Sequence, residues 1–442
     1  MRIKFEFAAF AVKLAGFAGL LLCAAAAQAA LPIQHWRMDS GVRVYFVENH
    51  DLPLLDISVE FPAGSGRDDP SKPGLASMTQ HMLIHGAGGM TEEEISRRIA
   101  DVGATLGGSF DQDRAGLRLR TLSSERERSE ALGIMAKALQ SPDFPEAVLE
   151  REKNRAATEL QEAMTQPEFV AERKFIALLY GAHPYALSSA VEPETIAALQ
   201  RDDLAAYYRG HYRAGYAVVS VIGDVTPAQA REIAGALTAS LPQGEGELQP
   251  LPAVAMPKGE TEKIPHPATQ SHILVGQPGV KRVDPDYFPL YVGNYTLGGG
   301  GFASRLIEEV RQKRGLVYSV HSYFMPLQQP GPFEIGLQTK RAQAEEALAV
   351  VRKTVQDYVA GGPTETELKK AKQNIVGGFP LRIDSNQKLL DYIAMIGFYQ
   401  LPLTYLDDFP GKVEKVTAAQ VKDAFARRIK PENMVTVIVG AD

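Results

Sequence analysis

Cysteine is almost absent. Cys23 is the only one in 442 residues, and it falls in a stretch that reads as a cleavable leader, so the mature chain is expected to have no disulfide, thiol nucleophile or thiolate ligand. Membrane-spanning runs are missing too. The apolar stretch at residues 14–27 is too short to cross a bilayer. Arg2 and Lys4 precede it, Lys13 borders it, and Ala27-Gln28-Ala29 follows as a small-x-small cleavage site. Together these features read as a secretory signal peptide over residues 1–29. Leu22 stands before Cys23 where a lipoprotein signal has a small residue. No basic excess is present either. The formal charge is −6, and removing the leader (Arg2, Lys4 and Lys13 against Glu6) takes it to −8. A chain without a basic patch is not expected to bind nucleic acid. Export without disulfides suits a bacterial periplasm, where a core of this size needs no covalent staples.

What remains is the composition of a globular protein, 45% hydrophobic and 23% charged, in a chain long enough for two or three domains. Residues 241–267 form a connector rich in proline and glycine, including Pro242, Pro250, Pro252, Pro257, Pro265 and Pro267. On either side the sequence repeats. An offset of 217 residues aligns Leu204 with Val421, Tyr208 with Phe425, Tyr212 with Ile429 and Gly223 with Gly440. An offset of 218 aligns the apolar segment 117–121 with 335–339. Two matches at nearly one offset point to duplicated domains, one over residues 30–240 and one over 268–442.

Strands are expected at 42–47 and 55–61, with Asn49-His50-Asp51 turning between them. Residues 74–85 are helix-compatible. Thr91 and Glu94 make a capping box for a helix that buries Ile95, Ile99 and Val102 and stops at Gly103. A long helix follows Pro145. Strands, then helices, then strands in each half predict an α+β fold, with helices packed on two largely antiparallel sheets that face each other as a clamshell.

Residues 74–81 read Gly-Leu-Ala-Ser-Met-Thr-Gln-His. The H-x-x-E-H signature of inverted zincins fits this stretch if Ser77 is read as His and Gln80 as Glu; only His81 is retained. The chain thus resembles the M16 family of zinc peptidases (insulinase, pitrilysin and mitochondrial processing peptidase relatives), in its two-domain subgroup, over nearly the whole mature chain. The resemblance implies two histidines one helical turn apart as zinc ligands, a glutamate between them as general base, and a third ligand, a glutamate, from a later helix. Glu159 matches that third ligand, and Glu152, seven residues earlier on the same face, matches an acidic residue that the family also keeps. An offset of 219 brings Glu159 onto Gly378, so the second half has no counterpart ligand. His81 and Glu159 are left as residual ligand positions, short of the three protein ligands that catalytic zinc usually takes. Gln80 cannot take a proton from water. No bound metal and no catalytic residue are expected on this chain alone. His85 could complete a set with His81 and Glu159, but it precedes Gly86, Gly88 and Gly89 and is expected at an exposed, frayed helix end.

Residues 298–320 run from four glycines through a helix starting near 304 to a strand near 316–322. No Gly-Lys-Ser/Thr follows the glycines, so they are not a phosphate loop. By the same resemblance Arg311 and Tyr318 match residues that hold the substrate backbone and stabilise charge on the attacked carbonyl, as a guanidinium fork and a phenol can. The family's substrate adds as an extended strand at a sheet edge near residues 103–113, where this chain has Gly107 and Gly108. The leading expectation is a catalytically silent subunit that pairs with a zinc-bearing M16 homologue around an extended peptide substrate. The alternatives are a zinc endopeptidase with non-standard ligands and a peptide-holding scaffold without hydrolysis.

Overall fold

The computed structural model describes residues 32–243 and 248–441. The expected signal peptide and Cys23 lie outside the described residues. Among the described residues eleven strands form two sheets. The first holds β1 (Gln34–Arg37), β2 (Arg43–Glu48), β3 (Leu54–Phe61), β4 (Thr105–Phe110), β5 (Ala115–Leu122) and β6 (Val218–Gly223), in the order β1-β2-β6-β3-β5-β4. The second holds β7 (Thr261–Pro265), β8 (Gln270–Pro278), β9 (Val317–Phe324), β10 (Pro332–Lys340) and β11 (Val435–Ala441), in the order β7-β11-β8-β10-β9. With β1 set aside, the two orders are the same permutation. β6 and β11 are related by the offset that the sequence carries, and each pairs in parallel with one neighbour, β2 or β7. The sheets are therefore mixed, with one parallel pair in each. β7 lies within the proline-rich connector. Its alternate residues are exposed, as an edge strand next to prolines requires.

β3 and β6, in the middle of the first sheet, are buried along nearly their whole length; this explains the nearly continuous apolar run of β6, whereas β3 buries Asp56 and Glu60 against Arg120 and Arg114. The Thr91–Glu94 capping box forms, and its helix Glu92–Asp101 buries Ile95 and Ile99. Val102 packs in the same core, and Gly103 takes a φ of 63°. The long helix after Pro145 runs from Glu146 to Ala163.

The halves exchange a helix each. Pro167–Tyr180 belongs to the first half but lies against β8 and β11 of the second sheet, with Phe175, Ile176 and Leu179 packed on Val435, Val437 and Val439. Asn386–Phe398 belongs to the second half but lies against β2, β3 and β6. Gly397 lets it approach closely, since a Cβ there would stand 2.7 Å from the Tyr45 ring, and Arg43 donates to the Gly397 carbonyl (3.0 Å). Among the described residues no helix is long and apolar enough to cross a membrane.

Candidate functional site

The degenerate motif occupies a short helix, Leu75–Met82. Asp68 fixes its start. That buried carboxylate accepts the backbone N–H groups of Gly74 (2.9 Å) and Ala76 (2.6 Å), donors that an uncapped helix leaves unpaired. Burial nevertheless pushes the Asp68 carboxyl up to about 6.

Ser77 is exposed. Gln80 turns to the sheet, where its Nε2 donates to the Gly116 carbonyl of β5 (3.1 Å). Its amide covers Gly108 of β4 so closely that a Cβ at 108 would stand 2.0 Å from Nε2. Gly108 thus makes room for the amide, and the position of the expected base is spent on a contact with the sheet.

His81 Nε2 lies 2.8 Å from Glu152 Oε2 on the helix Glu146–Ala163. Glu159, the expected partner, is 66% exposed and lies 3.5 Å from Arg155 Nε; the carboxylate that reaches His81 is Glu152, with 2% of its side chain exposed. His85 also departs from expectation. It follows the helix end, yet it is buried, with its ring 4.3 Å from that of His81. Its Nδ1 is 3.2 Å from Glu92 Oε1 but off the line that a hydrogen bond needs. Burial and the neighbouring His81 lower its pKa, against the pull of Glu92. His81, His85 and Glu152 therefore converge, with one donor atom of each within 4.8 Å of the others.

Two arginines decide what this trio can do. Arg155 Nη2 lies 2.9 Å from His81 Nε2 and 2.7 Å from Glu152 Oε2. Arg151 Nε donates to Glu152 Oε1 (2.9 Å), and its Nη2 bonds Glu92. Burial alone would raise the Glu152 carboxyl, but its bonds to His81 and Arg151 and the Arg155 charge hold it below the usual carboxylate range. Both oxygens of Glu152 and the lone pair of His81 thus face guanidinium. Arg155 only donates, so a bond from it to Nε2 needs the neutral imidazole with Nε2 unprotonated, whereas a bond to Glu152 needs the proton on Nε2. In either state the donors are engaged.

A catalytic zinc does not fit this arrangement. The ion would have to displace a side chain that stays charged at any working pH from a charge-assisted pair typically worth about 1.5–3 kcal/mol. Arg155 is 52% exposed, so it competes with an ion rather than blocking it. The sequence held the signal: Arg155 follows Glu152 by three residues, one turn along the same face.

The second candidate pair stands on the other half. Arg311 lies in the helical segment Ile307–Gln312, its guanidinium 5.1 Å over the Phe302 ring. Tyr318 sits on β9 and is 73% exposed. No hydrogen bond or cation–π contact joins the two among the described residues. β4 and β9 are corresponding edge strands of the two sheets, though on β9 the Asn294 side chain takes the outward carbonyl of Ser322 (2.8 Å).

Comparison with known proteins gives this arrangement a context. Residues 43–191 match the family model for insulinase (peptidase family M16), and residues 198–375 match that for the peptidase M16 inactive domain. A solved M16 inactive-domain structure from Pseudomonas fluorescens is 36% identical, with a TM-score of 0.90 over 93% of this chain and 98% of that one. A non-peptidase homologue, YmxG of Helicobacter pylori, is 26% identical over 90% of this chain and 91% of its own. The periplasmic protease PqqL of Escherichia coli is 14% identical with a TM-score of 0.77 and shares the fold; this chain spans 46% of that protein. The chain belongs to the M16 peptidase family, as a homologue of the inactive type.

Proposed function

We propose that this chain is a non-catalytic subunit of a periplasmic M16 peptidase, and that it lends substrate contacts to a zinc-bearing homologue. The observation that carries the reading is the Arg155 guanidinium set against both His81 Nε2 and Glu152 Oε2. A positive charge is built in where the family's ion would be held, and Gln80 supplies no base. Three further features support the partner role. Tyr318 is open to a ligand or a second chain, β4 ends its sheet and offers an edge for an extended peptide, and Phe302 beside Arg311 is exposed. The likeness to a non-peptidase homologue and to a periplasmic protease agrees with the silent role and the location.

The test is a reconstitution. This chain alone, the candidate zinc-bearing homologue alone, and the pair are assayed on one peptide library. Cleavage is expected from the pair only, and Arg311→Ala in this chain should lower kcat/KM of the pair by about tenfold to a hundredfold, the effect of losing one or two charge-assisted contacts. Hydrolysis by the lone, metal-assayed chain would overturn the proposal.

A second reading, a zinc endopeptidase with non-standard ligands, is favoured by the convergence of His81, His85 and Glu152. Stoichiometric zinc in the purified chain, lost in His85→Ala, would select it.

A further inference from the structure

Between the turn after β4 and the second sheet lies a cavity of about 770 Å³. Three arginines line it. Arg114 is matched by Glu60 (2.8 Å) and Asp111 (2.9 Å). Arg282 and Arg382 have no carboxylate partner among the described residues. Arg282 instead lies over two rings, 5.8 Å from Tyr287 and 5.6 Å from Tyr399, and its buried Nε has no hydrogen-bond partner. Arg382 donates to the Tyr291 hydroxyl (2.7 Å). Tyr287 and Tyr291 stack on each other at 5.8 Å, so the two uncompensated cations flank one aromatic pair.

Such a wall is chemically specific. A guanidinium held by aromatic rings and missing an acceptor is poised for an acceptor from a ligand, and its planar fork matches a carboxylate. An unpartnered donor inside the protein is unfavourable until it is met. Residues 320–324 of the edge strand β9 form part of the lining; Asn294 already takes the Ser322 carbonyl (2.8 Å), so an extended peptide would not pair along this edge but would cross the cavity mouth and send a side chain inward.

We infer that this cavity receives an acidic side chain of an extended peptide, held by Arg282 and Arg382. The inference rests on the peptide-holding part of the proposed function. It names a substrate preference that Arg311 and Tyr318 do not provide.

Fluorescence anisotropy of the full chain tests it with two labelled peptides that differ only by one glutamate replaced with glutamine. The glutamate peptide should bind about tenfold tighter, the scale of one charge-assisted bond, with the advantage shrinking as salt rises. The double variant Arg282→Gln, Arg382→Gln should erase the difference, the two peptides binding it with equal affinity. Free glutamate should compete against the glutamate peptide on the unaltered protein, which keeps the test decisive if the variant folds poorly. Equal binding of the two peptides to the unaltered chain would sink the acidic preference alone. Failure of both peptides to bind would sink the peptide-holding reading together with it.

Discussion

Arg155 carries a sharp prediction, because it separates the loss of metal from the loss of donors. If the guanidinium is what occupies the ion's place, Arg155→Ala should free His81 Nε2 and Glu152 Oε2 and leave His85 beside them. Two imidazoles and a carboxylate are then a zinc ligand set. Zinc affinity by titration calorimetry should rise by about tenfold or more, since removing a competing pair of roughly 1.4 kcal/mol is one decade. Peptidase activity should not appear, because Gln80 is turned to the Gly116 carbonyl and cannot act as a base. Unchanged zinc affinity would mean that the trio is held apart for another reason. This residue-level detail was only half legible in the sequence. The replacements at 77 and 80 stand in the motif and need no structure. The choice between Glu152 and Glu159 could not be read from spacing, because seven residues put both on one helical face, and only the packing of the helix against the motif helix selects Glu152. His85 misled for a similar reason. Glycines after it signal a helix end, yet the chain folds back and buries it beside Glu92.

Among the elements, the helix Glu365–Gly378 shows how local signals and tertiary contacts join. Thr364 and Glu367 form its capping box, a pattern of the same kind as Thr91 and Glu94. Arg305 adds two hydrogen bonds to Glu367 from outside the helix (2.6 and 2.7 Å). Burial works against the charged carboxylate, but Arg305 and the Thr364 N–H and hydroxyl outweigh it and hold the carboxyl at about 2, below its ordinary 4.5. A depressed folded-state value stabilises the protein above the ordinary pKa, and that contribution is lost as pH falls from about 4.5 towards 2. The size is of order 3 kcal/mol. Glu367→Gln should therefore destabilise by roughly 2–3 kcal/mol near neutral pH. The gap to the parent chain in urea melts should narrow steadily between pH 5 and pH 3. A gap that stays constant over that range would show that packing, and not the charge, is what the substitution removes. Element types in both halves followed from apolar periodicity and caps. The parallel pairs did not, because strand order is set by which buried faces meet, and a continuous apolar run such as β6 looks the same in either direction.

For the whole molecule, the duplication visible as an offset of 217 residues hides an interlock. Each half gives one helix to the other's sheet, which no pattern within a single half could announce. Burying Phe175, Ile176 and Leu179 against β11 is worth about 1.5–3 kcal/mol per side chain. Three such residues approach the entire stability of an ordinary domain, about 5–15 kcal/mol. A fragment ending at the proline-rich connector would expose these side chains and also lose the helix that covers β2, β3 and β6. The fragment 30–240 should therefore not fold alone, giving no near-ultraviolet circular dichroism and binding a hydrophobic dye, while co-expression with 248–442 should restore a folded complex. The intact chain should melt as one calorimetric transition, because neither sheet keeps its cover when the other opens. Gly397→Val should lower that single transition, since even a Cβ would stand 2.7 Å from the Tyr45 ring and 2.8 Å from Val218 Cγ1, where overpacking typically costs about 1–3 kcal/mol. Two separable transitions, or a folded 30–240 fragment, would mean that the exchanged helices are peripheral, and that the halves move as independent bodies around the peptide.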